Sequence, residues 1–397
     1  MVKILIVIVS LSLIIWIYLL LFRGSFWLSN QRINKDLQPL DEYPAICAVI
    51  PARNEADVLP ISLKSLLNQD YSGNFSIILV DDQSDDNTGH IAQEIAEKCK
   101  KNQQLKVISG QPLAAGWSGK LWAMKQGIEQ ANNLDNIPDY LLLTDADIEH
   151  HNSNLQELVK QAETEKLAMT SLMVKLRCDS FWEQFLIPAF IFFFEKLYPF
   201  SWVNHPRNKM AAAAGGCILI SRQILEDIGG IEVVKEALID DCSLAAAVKS
   251  KLQEDREKIE QGIWLGLSEN TLSLRPYDNL DSIWNMVART AYTQLNYSPL
   301  LLIGTLLGLT IVYLVAPITL IVGFIINSPA TIILGGITWL LMTISYLPTL
   351  KLYKCSLLWS LTLPLIGLLY GLMTLDSAWR HWRGKGGGWK GRVYVNS

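Results

Sequence analysis

The chain has 397 residues, of which 50% are hydrophobic and only 18% charged, and its net charge is −4. This composition is too apolar for an ordinary soluble protein, and the net charge excludes the broad basic surface that a nucleic-acid-binding protein needs. The apolar residues concentrate near the two ends of the chain, so we expect membrane segments on either side of a globular domain.

The first segment, residues 4–22, is an unbroken apolar run. A helix needs about 20 such residues to cross the hydrocarbon core of a membrane. A signal peptide is the alternative, but the residues that follow the run make a poor cleavage site. We therefore interpret residues 1–23 as a retained transmembrane anchor. Lys3 precedes the run while Arg23, Arg32 and Lys35 follow it, which predicts a multi-pass inner-membrane protein with its large central domain in the cytoplasm.

Strands and helices alternate at the start of the domain of residues 24–297. Short apolar runs predict buried strands at 45–50, 76–80, 105–108 and 140–143. Helical segments are predicted between them at 56–68, 88–98 and 120–130. The alternation predicts an α/β, Rossmann-like domain with a mostly parallel sheet.

Polar side chains follow three of the predicted strands. They are Arg53 and Glu55 after the first strand, Asp81 and Asp82 after the second, and Asp145 and Asp147 after the fourth. Open α/β sheets bind ligands at the carboxyl ends of their strands. A single carboxylate there usually caps the next helix, but three acidic strand ends together favour a binding site.

The spacing of Asp145 and Asp147 has a chemical use of its own. Residues i and i+2 of an extended chain point to the same side. Two carboxylates that face a cleft suit a hard divalent cation that also binds phosphate oxygens. We therefore predict that Asp145 and Asp147 hold Mn²⁺ or Mg²⁺ together with a diphosphate.

Five stretches of the chain occur in an order that is typical of one enzyme family. They are residues 49–55, 80–88, 144–147, 214–217 and 239–241. With them the chain resembles the family 2 glycosyltransferases, which have the GT-A fold. Within that family it is most similar to the hopene-associated glycosyltransferases of bacterial hopanoid biosynthesis. This closer similarity rests on residues 116–122, 144–150, 238–242 and 289–295.

The resemblance implies roles on the donor side of the site. Pro51, Glu55 and Asp82 match positions that hold the nucleoside of a nucleotide-sugar. Asp145 and Asp147 match the pair that binds the metal and the donor diphosphate.

Four other residues complete the predicted donor site. Arg53 and Asp81 are included because they follow the same strand ends. Lys120, at a predicted helix start, is expected to meet the diphosphate, with a solvated surface lysine as the alternative. Arg289 is expected to be a further diphosphate contact.

On the acceptor side, the resemblance implies a turn at Gly215 and Gly216 that lets the acceptor approach closely. Asp241 matches the catalytic base of the family, which inverts the anomeric centre, and Asp240 stands where the family often has glutamate. An acceptor alcohol must lose a proton as it attacks, so a carboxylate away from the metal pair suits this role. Helix N-capping is the alternative for both aspartates.

Two smaller points concern cysteine and histidine. The six cysteines show no metal-ligand spacing, so we expect free thiols. His150 is expected to be a polar loop residue, with metal or substrate contact as the less favoured alternative.

Residues 181–200 are apolar and aromatic but are interrupted by Pro188. We predict a helix that lies in the membrane interface and gives a hydrophobic acceptor access to the cleft, with a buried core helix as the alternative.

The C-terminal region of residues 298–376 contains three candidate spans, roughly 299–326, 329–348 and 356–375. Four crossings would leave both termini outside, whereas the basic tail of residues 377–397 argues for the inside. Either one span is re-entrant or lies in the interface, or the first is a hairpin around Pro317.

These features predict transfer of a single sugar from a nucleotide-sugar, expected to be a UDP-sugar, to a membrane lipid. Processive family members carry Gln-x-x-Arg-Trp, and the tryptophan is absent after Arg289. A hopanoid acceptor is implied by the resemblance alone. The alternatives are transfer to polyprenyl phosphate or a polysaccharide, and a non-catalytic membrane scaffold, against which the intact acidic positions argue.

Overall fold

The computed structural model describes residues 2–255, 261–384, 388–389 and 392–393. Its centre is an eight-stranded sheet in the order β3-β2-β1-β4-β7-β6-β8-β5. The strands are β1 (Ile46–Ala52), β2 (Phe75–Asp81), β3 (Leu105–Ser109), β4 (Tyr140–Thr144), β5 (Ile148–His150), β6 (Leu167–Lys175), β7 (Cys217–Ser221) and β8 (Gly262–Ser273). The four strands that the sequence predicts are all present.

The first half of the sheet is parallel, as predicted, and the second half is mixed. β1 pairs in parallel with β2 and β4, and β2 with β3. β7 runs antiparallel to both β4 and β6, whereas β6 and β8 are parallel. β1 is buried along its whole length, which explains its continuous apolar sequence.

Helices cover the sheet and lead from strand to strand. They are α2 (Leu59–Leu67), α3 (Thr88–Lys98), α4 (Gly119–Ala131), α5 (Asn154–Thr164), α6 (Phe181–Leu197), α7 (Phe200–Val203), α8 (Arg222–Asp227), α9 (Asp240–Glu254) and α10 (Leu280–Ala288). The architecture is therefore the predicted mixed α/β domain.

Four apolar helices are long enough to cross a membrane. The first is α1 (Val2–Phe22), and the others cover Pro299–Ile325, Pro329–Leu352 and Leu357–Trp382. The second consists of α11 (Pro299–Leu309), a π-helical turn and α12 (Val315–Ile325); the third is α13, and the fourth contains α14 (Leu363–Trp382).

The suggested hairpin around Pro317 is wrong, because helix runs without a break from Pro299 to Ile325. The π-helical turn at Thr310–Leu314 lies just before the proline. Its wider spacing leaves room for the pyrrolidine ring, which in a regular α-helix clashes with the carbonyl four residues earlier.

The aromatic segment that contains Pro188 forms α6, which begins with a capping box between Ser180 and Glu183. One face of α6 is buried, and the helix packs on α10, α13 and α14. It thus lies against two of the apolar helices, α13 and α14, and its place in the membrane interface stays a prediction.

The end of the chain is described only in part. Gly388–Trp389 and Arg392–Val393 form a two-stranded pair, β9 and β10. Lys385, Lys390 and Gly391 of the basic tail lie outside the described residues.

Candidate active site

The site is built on the edge where β1, β2 and β4 end. Ala52 pairs with Asp81 at the end of β1 and β2, and Thr144 ends β4 on the other side of β1. Because the three strands are parallel, the polar residues that follow them lie at one edge of the sheet.

Arg53, Glu55 and Asp82 form the first part of the site. Arg53 donates hydrogen bonds to the carbonyl oxygens of Asp82 and Gln83, and its Nη1 lies 3.8 Å from Asp82 Oδ2. The Asp82 side chain is fully buried, and Glu55 is 6% exposed. The backbone N–H of Glu55 donates to Thr88 Oγ1, which ties the loop after β1 to the start of α3.

Pro51 and Asp81 lie within the ends of the strands that form this edge. Pro51 is buried inside β1 and pairs with Val80. Asp81 Oδ1 accepts a hydrogen bond from the Ser84 N–H, and the Asp81 carbonyl accepts one from Gly110. Both residues therefore support the loops around the site, and direct contact of either with a donor stays a prediction.

Arg275 joins two of the predicted acidic positions. Its Nε lies 2.9 Å from Asp147 Oδ2, and its Nη2 lies 3.3 Å from Glu55 Oε1. Burial raises the pKa of Asp147, as does the charge of Asp145, while Arg275 opposes the shift. The guanidinium thus holds two carboxylates from different strand ends in fixed positions.

Lys120 is mostly shielded from solvent and forms an ion pair, so it is not the solvated surface lysine of the alternative. Its ammonium lies 2.6 Å from Asp145 Oδ1, and only 19% of its side chain is exposed. Burial opposes the charged form, but Asp145, Asp240 and Asp241 outweigh it and raise the pKa of Lys120. A fixed positive charge therefore lies at the start of α4, beside the predicted metal-binding aspartates.

Asp241 lies near this lysine but on another element, in the first turn of α9. Its Oδ2 accepts a hydrogen bond from the Gly215 N–H at 2.8 Å, and its Oδ1 accepts one from the Cys242 N–H at 2.7 Å. Burial and the neighbouring Asp240 raise the pKa of Asp241 to about 6. Such a carboxylate is ionised at neutral pH and is a stronger base than an exposed aspartate.

Gly215 and Gly216 allow this close packing. A Cβ atom at Gly215 would lie 3.4 Å from both Asp241 Oδ2 and Lys120 Nζ, and one at Gly216 would lie 3.0 Å from Val174. A side chain at Gly215 would therefore fill the space between the acid and the lysine.

A group of uncharged polar side chains lies beside Asp241. Gln294 donates a hydrogen bond to the Tyr198 hydroxyl. Burial raises the pKa of Tyr198 to about 12, and Cys242 and Asp241 lie close enough to contribute to the shift. The neighbourhood of the predicted base therefore includes a phenol, an amide and a thiol.

Arg289, the last predicted donor residue, is exposed at the end of α10. Burial raises the pKa of the Tyr277 phenol, the charges of Asp147 and Asp145 raise it further, and Arg275 and Arg289 oppose the shift. Both arginines and the two predicted metal-binding aspartates therefore lie within electrostatic range of Tyr277.

His150 is not a loop residue, since it ends β5 and is 2% exposed. Its Nε2 lies 3.0 Å from Thr144 Oγ1 and its Nδ1 lies 3.0 Å from Asn154 Nδ2. Both ring nitrogens are engaged by protein groups, so this histidine supports the loop of Asp145 and Asp147 from behind.

The sequence reasoning missed Arg275, Tyr277 and Tyr198. Arg275 and Tyr277 follow β8, which is parallel to β6 and was not predicted as a strand. Had β8 been recognised, an arginine two residues after its end would have been the signal. Tyr198 follows the aromatic helix α6, and nothing in the local sequence marks it as a site residue.

The carboxylates of Asp145 and Asp147 fit a divalent cation whose other ligands are phosphate oxygens. Among the described residues there is no cluster of three or more His, Cys, Asp or Glu side chains that would enclose a metal. Asp145 is 33% and Asp147 is 10% exposed at the side chain. Mg²⁺ typically binds one or two carboxylates together with substrate phosphates, and this pair supplies that number.

The sheet, the acidic strand ends and the separate carboxylate of Asp241 form the arrangement that is expected of a nucleotide-sugar-dependent glycosyltransferase domain. Residues 47–229, a little under half of the chain, match the model of the glycosyl transferase family 2.

Three relatives agree with this class. The chain is 30% identical to the probable glycosyltransferase YdaM of Bacillus subtilis over 60% of its length and 56% of that protein. It is 33% identical to the 4,4'-diaponeurosporenoate glycosyltransferase of Staphylococcus haemolyticus over 30% of this chain and 28% of that one. It is 24% identical to the beta-monoglucosyldiacylglycerol synthase of Nostoc sp. over 56% of this chain and 44% of that protein. The chain thus spans about half the length of these relatives or less.

One solved structure resembles nearly the whole chain. The mannosyltransferase PcManGT from Pyrobaculum calidifontis, solved with GDP-Man and Mn²⁺, covers 94% of this chain and 99% of its own, with a TM-score of 0.57 and 15% identity. At this identity the likeness shows the fold alone.

Proposed function

We propose that the protein transfers one sugar from a nucleotide-sugar to a hydroxyl group of a membrane lipid, with inversion at the anomeric carbon. The observation that carries this proposal is that Lys120 contacts Asp145 at 2.6 Å and also lies near Asp241, since a Cβ atom at Gly215 would be 3.4 Å from both Lys120 Nζ and Asp241 Oδ2. The predicted diphosphate site and the predicted base would thus lie close together, as a single displacement requires.

The residues of the donor edge would divide the work between nucleoside and diphosphate. Glu55 and Asp82 would hold the nucleoside, and Lys120 and Arg289 would face the diphosphate. Mn²⁺ or Mg²⁺ held by Asp145 and Asp147 would neutralise negative charge on the leaving phosphate. In the Pyrobaculum neighbour a GDP-sugar and Mn²⁺ are bound together, which supports a divalent cation here.

Asp241 would accept the proton of the acceptor hydroxyl. Its two backbone hydrogen bonds fix the carboxylate, and its pKa of about 6 keeps it ionised at neutral pH. Gly215 would leave room for the acceptor oxygen next to the base.

The groups around Asp241 favour a lipid alcohol over a lipid phosphate. Tyr198, Gln294 and Cys242 donate and accept hydrogen bonds but carry no positive charge. Lys120, which lies against Asp145, would already serve the donor diphosphate. A phosphate acceptor would need a cation and no base, whereas an alcohol needs the base that is present. The Nostoc relative is named for making a glucosylated diacylglycerol, which supports a lipid.

A hopanoid acceptor is the finer proposal, and it rests on the resemblance of residues 116–122 and 289–295 to the hopene-associated enzymes. We further propose that the apolar helices anchor the protein in the inner membrane with the catalytic domain in the cytoplasm. This orientation follows the basic residues behind α1.

Purified full-length protein in lipid nanodiscs tests the reaction. It would be incubated with Mn²⁺, a panel of UDP-sugars and GDP-mannose, and two acceptors that share one tail, a polyprenol and its monophosphate; a hopanoid alcohol forms a third arm. We expect glycosylation of an alcohol and loss of at least a hundredfold in rate for Asp145→Ala and Asp241→Asn. Transfer only to the phosphate would remove the alcohol proposal, and variants as active as wild type would remove the mechanism.

A further inference from the structure

The segment from Tyr353 to Trp382, which contains the last apolar helix, starts at the catalytic domain. Cys355 Sγ lies 3.4 Å from Cys178 Sγ, three residues beyond the end of β6. The Lys175 ammonium lies over the ring of Tyr353, 5.6 Å from its centre. The chain therefore leaves α13 on the membrane face where the catalytic domain lies.

The same segment also ends at the catalytic domain. The indole of Trp284, in α10, donates to Asp376 Oδ2 at 2.7 Å. The backbone N–H of Tyr292 donates to Ser377 Oγ at 3.0 Å. One turn further on, His381 stacks on Tyr297 with ring centres 4.3 Å apart. These domain residues belong to α10 and to the chain that follows it.

The two anchoring points belong to one surface of the domain. Arg177, next to Cys178, lies 3.1 Å from Asp278, which immediately precedes the chain into α10. Glu183, at the start of α6, accepts a hydrogen bond from the backbone N–H of Tyr277. The surface that receives the start of the segment is therefore continuous with the surface that receives its end.

Between these points the helix follows α6. Trp359 packs on Phe181 and Phe185, with ring centres 5.5 and 5.3 Å apart. Further along, the Tyr370 hydroxyl donates to the Leu186 carbonyl at 3.0 Å, and its ring packs on Phe193. α6 is itself held near its start by Glu183, which accepts a hydrogen bond from the Tyr277 N–H after β8. Beyond its end, Asn204 donates a hydrogen bond to the Leu265 carbonyl in β8.

Length makes a crossing incompatible with these contacts. The 20 residues of α14 extend about 30 Å, which is the thickness of the hydrocarbon core. A crossing helix of that length would carry its two ends to opposite faces of the membrane. A domain with a polar surface can contact only one of these two membrane faces.

The exposed face of the segment suits contact with lipid along one side. Large apolar side chains are exposed at intervals of three or four residues, and they are Leu358, Leu361, Leu365, Leu368, Leu372, Leu375, Trp379 and Trp382. The opposite face, which includes Tyr370 and Ser377, is buried. A single apolar stripe with protein behind it is the pattern of a helix that lies on or dips into one face of a membrane.

We propose that the segment of residues 353–382 does not cross the membrane and begins and ends on the face that carries the catalytic domain. The inference rests on the membrane anchoring proposed above. Three crossings then remain, by α1, by the helix of residues 299–325 and by α13. The amino terminus lies on the far side, and the tail after Trp382 lies on the near side, where its basic residues agree with a cytoplasmic domain.

Cysteine labelling of the full chain in intact bacterial cells tests this topology. Three variants would be treated with a membrane-impermeant maleimide: Ala330→Cys at the start of α13, Gln93→Cys on α3, and Ser397→Cys at the last residue. Wild type, with its six natural cysteines, gives the background. We expect labelling of Ala330→Cys in intact cells, and of the other two only after permeabilisation.

Each other result has a distinct meaning. Labelling of Ser397→Cys together with Ala330→Cys, while Gln93→Cys is protected, would show a fourth crossing and overturn the proposal. Labelling of Ser397→Cys and Gln93→Cys with Ala330→Cys protected would support the topology and reverse the orientation. Removal of wild type from membranes by alkaline carbonate would overturn the anchoring and the proposal with it.

Discussion

Asp241 combines burial with two backbone hydrogen bonds, so its protonation state can be predicted. Burial and Asp240 raise its pKa to about 6 in the folded protein. The ionised form is the base, so kcat/KM should be constant above about pH 7 and fall tenfold per pH unit well below pH 6. Initial rates measured from pH 5 to pH 8 at low lipid concentration would show this limb. An acid limb centred near pH 4 would contradict the assignment.

Arg275 is expected to act through the two carboxylates that it joins. Arg275→Gln removes the charged contacts to Asp147 and Glu55. Hydrogen bonds to charged groups contribute about 1.5–3 kcal/mol, so the KM of the donor should rise about ten- to a hundredfold. The apparent affinity for Mn²⁺ should also change, because the charge opposite Asp147 is lost.

Steady-state kinetics at varied donor and varied Mn²⁺ would measure both effects. Arg207→Gln is a matched control, since Arg207 is exposed on the loop after α7. A variant with unchanged KM and a lower melting temperature would show that Arg275 is only structural.

At the scale of elements, Glu183 fastens α6 to the site. Its carboxylate is fully buried and accepts hydrogen bonds from the backbone N–H groups of Asp179, Ser180 and Tyr277, each at 2.8–2.9 Å. Burial opposes the charged form, but these bonds and Arg177 outweigh it and lower the pKa of Glu183. Its stabilising effect is thus complete above the unfolded pKa of about 4.3 and is lost as the pH falls through the folded value.

Glu183→Ala should therefore reduce the free energy of unfolding by about 1.5–3 kcal/mol at pH 7. The melting temperature of the detergent-solubilised protein would report this loss, with Glu165→Ala, at an exposed position before β6, as the control. The difference between the two variants should shrink towards pH 4. Equal melting temperatures at pH 7 would show that α6 is held by its apolar face alone.

The elements that could be predicted from the sequence are those with local signals. β1, β2 and β4 are continuous apolar runs, and acidic residues follow each of them closely. The sequence therefore predicts both the strands and the positions of the acids at their ends, which are Glu55, Asp82, Asp145 and Asp147. β8 contains Glu269 and Asn270, which interrupt its apolar pattern. Its strand character depends on pairing with β6 and β5, and so the position of Arg275 could not be foreseen.

Over the whole molecule, the catalytic domain and the apolar helices are joined as one body. The Trp16 indole of α1 donates to the Val312 carbonyl at 2.8 Å, and Arg23 donates to the carbonyl oxygens of Lys196 and Leu197 at the end of α6. Contacts of this kind fix where the acceptor side of the site meets the membrane. These contacts could not be predicted from the sequence. Hydropathy indicates how many helices are long enough to span a membrane, but it does not indicate which end of a helix contacts the domain.

Cys178 and Cys355 offer a direct test of the contact between the catalytic domain and the apolar helices. The two thiols are free, belong to the catalytic domain and to the turn after α13, and have sulfur atoms 3.4 Å apart. A disulfide of about 2.05 Å needs only a small movement of the side chains. Diamide, which takes up the two hydrogen atoms and becomes a hydrazine, should therefore link the pair within one chain.

If the catalytic domain and the helices move together during the reaction, the linked protein should keep at least half of its transferase activity. Mass spectrometry of the linked peptides would identify the bond. Cys355→Ser should abolish it, while Cys99→Ser, at the end of α3, should not. Loss of activity on linking, restored by dithiothreitol, would show that β6 and α13 must separate during turnover. The joint would then be a hinge, and the rigid contact between domain and membrane helices would describe only one state of the enzyme.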